Sequence, residues 1–166
     1  MTITLPSGMT WAMEHLGFFF PDSDEDKLDA MGQSWIRFAT TMEGLVDEAD
    51  RQAQAVKNDN QGEAIATFWE VWSGASGPAA CLRANAEGAR LIGAGLSTAA
   101  GIVVALKVKV IAEVTLFVRT CWIAAQAAKT PLTAVLAVAA VVAVRIAVVA
   151  AINAAFTLAI QALLRE

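Results

Sequence analysis

An all-α fold is predicted by three observations. Apolar residues between Leu28 and Val56 recur every three or four positions, as one face of a helix requires. Two clusters rich in turn formers, KNDNQG (57–62) and GASGP (74–78), interrupt the helical pattern. The Val-rich run AVLAVAAVVAVRIAVVAAI is longer and richer in Ala than an ordinary strand. The expected architecture is a long antiparallel helical hairpin extended by a second, strongly apolar helical pair. Its expected divisions are a capping segment (1–21), the hairpin (22–90) and the apolar pair (91–166).

Residues 1–21 hold Pro6, Gly8, Gly17 and Pro21 around a short apolar stretch. A short helix or turn is expected there, packed through Trp11, Leu16 and the Phe18-Phe19-Phe20 cluster. The opening MTITLPSGMTW has neither a basic start nor an unbroken apolar core, so a Sec-type leader is not expected from it.

The first long helix starts where Asp22 or Ser23 can cap it and Asp24, Glu25 and Asp26 oppose the positive helix end. Leu28, Met31, Trp35, Phe38, Met42, Leu45, Ala49, Gln52 and Val56 then form a near-heptad stripe. Asp29, Arg37, Glu43, Asp47, Asp50 and Arg51 lie off that stripe and favour water. A turn is expected at Asn60, Gln61 and Gly62, because Asn and Gly tolerate left-handed backbone. The return segment carries Ile65, Phe68, Trp69 and Trp72, and bends again at Trp72, Ser73 and Gly74. The stripe Leu28, Met31, Trp35, Phe38, Met42, Leu45 is expected to bury itself against the return helix, with Phe68 and Trp69 in the same docking surface. Trp69 and Trp72 are expected to pack on Trp35 and Phe38.

A helical pattern resumes near Ala79, with Leu82, Ala86, Ala89, Ile92 and Gly93 inward, and continues to about Lys129. Thr130-Pro131 then marks the start of a last helix, since Pro suits a first turn. Lys109 and Glu113 stand four apart and can pair.

Composition limits the function. Apolar residues are 57% of the 166, above the roughly 45–50% of soluble chains. Residues 1–77 have 4 Lys/Arg against 13 Asp/Glu, whereas residues 78–166 have 8 against 3. The basic residues of the second half are scattered singly along apolar helices, so no nucleic-acid surface is expected. Nineteen consecutive positions, 146–164, carry no charge, which meets the length for a membrane span. Nine of them are Val, Ile, Leu or Phe, together favouring insertion by about 3–5 kcal/mol. Asn153 and Gln161 oppose it, and a window centred near Arg145 loses about 2.5–3.5 kcal/mol. Membrane insertion of the 91–164 hairpin and its burial as a soluble or oligomeric hairpin both remain open.

No group of residues has the spacing of a catalytic, metal or phosphate site. His15, the single histidine, is expected at a turn or the surface. The acidic run from Asp22 to Asp29 lacks the spaced ligands of a calcium loop. Cys81 and Cys121 are 40 positions apart in one expected helix, about 60 Å and beyond disulfide reach, and are expected to be small buried hydrophobes. No enzyme activity, cofactor, metal or small-molecule substrate is expected.

FPDSDEDKLDAMGQSWIRFATTMEGL (20–45), VKNDNQGEAIATFWEVWSG (56–74) and the apolar helical stretch that follows resemble the Trp-x-Gly (WXG) helical-hairpin superfamily of type VII, or Esx, secretion substrates. The likeness covers roughly residues 10–125. It is nearest to the variant found at the N-terminus of large actinobacterial toxins. Under this resemblance Asn60 to Gly62 occupies the hairpin turn, with Asn where the family has Trp, and Trp72-Ser73-Gly74 marks a second bend. The resemblance implies a non-catalytic targeting and pairing module that docks a partner hairpin or a second copy. Its cargo domain would lie beyond Glu166 or on another chain. It also implies export by a non-Sec route, or association with the cell envelope, after a cytoplasmic stage. The family's export signal needs a Tyr, and the chain has none, which speaks against autonomous export unless a signal is formed jointly with a partner hairpin. The alternative is a small helical membrane or pore-forming protein with an acidic soluble head.

Overall fold

Residues 2–164 are described by a computed structural model; their regular structure consists of five α-helices, with no strand among them. Helix α1 (Thr10–Leu16) stops at Gly17, whose φ of +83° is left-handed and whose N–H reaches back to Met13 and Glu14. Ala12, Met13 and Leu16 are buried, whereas Trp11 is partly exposed and Phe19 lies almost wholly in solvent. Of the expected Phe cluster, only Phe18 and Phe20 pack inward.

Helix α2 (Glu25–Asp59) begins one or two residues later than a cap at Ser23 or Asp22 implies, with Glu25 and Asp26 in its first turn. Gly62, at φ +121°, turns the chain into α3 (Glu63–Ser73). A second tight turn follows, in which the Gly77 N–H donates to Gly74 C=O at 2.8 Å. Any Cβ at Gly77 would strike the Val71 and Trp72 carbonyls, which explains Gly there. Helix α4 (Pro78–Ala127) then starts on Pro, and α5 (Pro131–Leu163) starts on a reciprocal Thr130–Thr133 capping box with Pro in its first turn.

The chain divides into two compact units. One runs from Lys27 to Thr98, and the other joins the segment up to Asp26 with the segment from Ala99 onward. In the first, the hairpin unit, α4 returns antiparallel to α2. Asp29 pairs with Ser97, Glu43 with Arg90 and Asp50 with Arg83, so numbering falls on one helix as it rises on the other. The buried seam is made of small residues: Gly32, Ala39, Val46 and Ala53 on α2, spaced by seven, facing Ala79, Ala86, Ala89 and Gly93. Gly32 and Gly93 touch through backbone. A Cβ on either would lie 2.7 Å from the other's carbonyl oxygen.

This seam corrects the expected packing. Of the residues expected inward on α4, Ala86, Ala89 and Gly93 are buried, but Leu82 and Ile92 are exposed. On α2 the large apolar stripe is not what α4 covers. Met31 is 54% exposed, Trp35 38%, Phe38 49% and Leu45 65%. Backbones approach closely only where side chains are small, so the glycine and alanine face wins the contact and turns the bulky face outward.

The second, apolar unit has a core of Ala12, Met13, Leu16, Val110, Val114, Phe117, Val148 and Ile152. It is formed by α1 wedged against the middle of α4 and of α5. Lys109 and Glu113 pair at 2.6 Å, four residues apart on α4.

Candidate functional site

The outward face of α2 is the first candidate. Lys27, Ala30, Met31, Ser34, Trp35 and Phe38 form a shallow, mainly apolar groove, with Trp35 edge-on to Phe38 at 6.0 Å between ring centroids. Leu28 and Met42 are half-buried at the margin of the stripe, and Leu45 continues it. Thus α2 buries small residues on one side and displays aromatic and aliphatic ones on another.

The residues expected at the turns lie elsewhere along the same unit. Asn60, Gln61 and Gly62 fall between α2 and α3, and the Asn60 side chain donates to Val56 C=O. Trp72 and Ser73 end α3, and Gly74 follows as its C-terminal cap. Trp69 and Trp72 do not pack against Trp35 and Phe38. Lys57 Nζ sits 4.2 Å from the centre of the Trp69 ring, and Phe68 stacks on Trp72 at 6.2 Å. The Trp72 indole N–H donates to Asp50 Oδ1 at 2.7 Å, and Arg83 binds the other oxygen of the same carboxylate. Arg83 first, then Trp72, hold the Asp50 carboxyl below its ordinary pKa. The tryptophan beside the bend therefore serves as a polar tie across α2, α3 and α4. Sequence reasoning counted only its apolar area.

A second candidate lies in the apolar unit. Lys107 Nζ donates to Glu25 Oε2 at 2.6 Å and to Ser23 C=O, while the Ile3 N–H donates to Glu25 Oε1. Lys107 is 1% and Glu25 4% exposed. In the sequence Lys107 is one of the basic residues scattered singly along the apolar second half. Its partner stands 82 residues away, and no local spacing announces it.

The Ile3 N–H, followed by Lys107, pulls the Glu25 carboxyl down from 4.5 to about 2. A depressed acid stabilises the fold in full above its ordinary value, and the contribution fades as pH falls from 4.5 toward about 2. Thermal melts taken across that interval should show a steep loss of stability that Glu25→Gln flattens. Equal slopes for the two proteins would contradict the assignment.

The third candidate is the far end of the α4/α5 hairpin. Residues of α4 and α5 line two shallow apolar grooves there, which share Ala124 and Ala137. Only α5 is long and apolar enough to cross a membrane, among the described residues and by length and composition alone.

His15 is exposed and its Nδ1 lies 2.8 Å from Trp11 C=O. Cys81 and Cys121 are free; Cys81 is exposed, which corrects its expected burial, and Cys121 is half-buried. Among the described residues no group of three His, Cys, Asp or Glu side chains gathers to hold a metal.

Neither the curated proteins nor the solved structures include a significant match to the chain. A protein-family model, the WXG100 like domain, matches residues 3–154. That match does not single out the toxin-borne variant. It spans the hairpin unit and most of the apolar unit, and it agrees with the all-α hairpin architecture. The chain belongs to the WXG100-like domain family, helical proteins associated with type VII secretion.

Proposed function

We propose that this chain is a non-catalytic targeting and pairing module for a toxin-like protein exported by the type VII route, after a cytoplasmic stage. Its work is helix-on-helix docking of a partner hairpin or of a second copy. The observation that carries this reading is the outward stripe on α2: Met31, Trp35, Phe38 and Leu45 stand exposed while smaller residues, mostly glycine and alanine, fill the seam behind them. Aromatic anchors gathered on an otherwise polar helix are the usual makings of an interface core. Small residues inside keep the hairpin thin, so a second hairpin can lie along its bulky face and complete a four-helix arrangement.

Analytical ultracentrifugation should give a dimer, or an equimolar complex when the chain is co-expressed with a second hairpin protein from the same secretion locus. Trp35→Glu combined with Phe38→Glu should return it to monomer with unchanged helical circular dichroism. An assembly indifferent to both substitutions would refute the pairing face.

The alternative, a membrane-spanning or pore-forming 91–164 hairpin, draws support from the composition of α5 alone. A spanning hairpin needs two such helices, and α4 carries Lys107, Lys109, Glu113 and Arg119.

A further inference from the structure

We propose that the tip of the α4/α5 hairpin, residues 120–144, embeds in the interfacial layer of an anionic lipid membrane. The inference is independent of the pairing face, which lies in the other unit.

Large apolar side chains stand exposed on both arms of this tip. Trp122 is 65% exposed, and Leu132, Val135, Leu136 and Val138 are each more than 60% exposed. The arrangement distinguishes lipid from a docked helix. From Val138 round through Leu132 and Leu136 to Ala140, exposed residues occupy about 200° of the α5 circumference at 100° per residue. Between Thr133 and Arg145 every residue of α5 is Ala, Val or Leu. A partner helix covers one stripe, whereas a fluid apolar phase covers every side at once. Helices that are apolar all round need such surroundings.

Charge selects the kind of membrane. No acidic residue occurs from 114 to 165; Arg119 and Arg145 frame the tip and Lys129 stands at its turn, all three exposed. Cations bordering an apolar stretch of chain that carries no acid complement an anionic headgroup layer. Their long stems let the charges reach phosphate level while the stems lie against the apolar surface.

Geometry limits the depth. The middle parts of both helices are already committed, since Val110, Val114, Phe117, Val148 and Ile152 lie in the core with α1. The free arms are therefore about 15 Å on α4 and about 25 Å on α5, both short of the roughly 30 Å hydrocarbon layer. The tip dips into one leaflet and does not cross.

The test is flotation of the full chain with vesicles of phosphatidylcholine, with and without phosphatidylglycerol. Binding is expected to the anionic vesicles and to weaken with added salt. Arg119→Gln with Arg145→Gln should reduce it by roughly thirtyfold, about fivefold for each cation. Trp122→Glu with Leu136→Glu should abolish it, and both positions are exposed enough to leave the circular dichroism intact. The same assay on the Trp35→Glu, Phe38→Glu variant should show undiminished binding, which separates this surface from the pairing face. Failure of the folded chain to float with anionic vesicles overturns the proposal. So does binding that ignores the tip substitutions, or resistance to alkaline extraction with α5 protected from protease, which would indicate a span. Self-association abolished by Leu136→Glu in a chain that binds no vesicle would assign the tip to a protein partner and also overturn it.

Discussion

Replacing Lys107 with Met should lower the melting temperature at neutral pH by on the order of 10 °C, more than loss of any exposed ion pair in the chain. Lys107 and Glu25 are both buried, and their contact ties the beginning of α2 to the middle of α4 within the apolar unit. Met fills nearly the same volume, so packing is largely kept and the loss is electrostatic. Glu25 would retain the Ile3 N–H but no cation, a buried carboxylate out of reach of water. A single broken partner of a buried pair is far more damaging than removal of both. Lys107→Met with Glu25→Leu should therefore recover most of the lost stability, though the Ile3 N–H then needs a water. The deficit of the single variant should also shrink on mild acidification, because an unpaired Glu25 protonates more readily. A melting point within a degree or two of the parent would mean that water reaches this pair freely. The exposed pairs Arg90–Glu43 and Arg51–Glu48 should respond far more weakly, since solvent screens them.

The helices and their breaks were legible because local chemistry writes them. Turn formers mark 57–62 and 74–78, Thr130-Pro131 opens α5, and the Lys109–Glu113 pair follows from spacing alone. The choice of inward face was not legible in the same way. Leu28 through Leu45 show the larger apolar area, and area is what a periodicity reading weighs. Contact between two helices is decided also by how near their backbones can come. Gly32, Ala39, Val46 and Ala53 recur at seven, as do Ala79, Ala86 and Gly93 on the other helix. That pattern was visible, but small residues carry little weight on a hydrophobic scale. The same reversal moved Trp69 and Trp72 away from Trp35: with the bulky stripe outward, the tryptophans close the other end of α2 through Asp50 and Lys57. The Lys107–Glu25 pair was out of reach for a different reason, since only tertiary folding brings together residues so distant in sequence.

Putting Leu at Gly93 should destabilise the hairpin unit by about 3 kcal/mol, the upper part of the range for an overfilled core. The nearest atoms to a Cβ there are the Gly32 carbonyl oxygen and Ile36 Cγ1, each at 2.7 Å. Ile36 can change rotamer, but the oxygen belongs to the backbone of α2 and moves only if the helices part. Parting them would also stretch the Ser97–Asp29 hydrogen bond a turn farther along. Gly93→Ala is the more discriminating substitution, because two effects oppose each other in it. Ala stabilises a helix interior over Gly by about 1 kcal/mol, while the clash acts against it. Gly88 supplies the comparison on the same helix, since nothing lies within 4 Å of a Cβ built there. Gly88→Ala should raise the melting temperature, and Gly93→Ala should fall clearly below it and Gly93→Leu further still. If both alanine variants rose alike, the two backbones could not be in contact at Gly32 and Gly93. The large stripe of α2 would then have no reason to face outward, and the pairing surface would lose its physical basis.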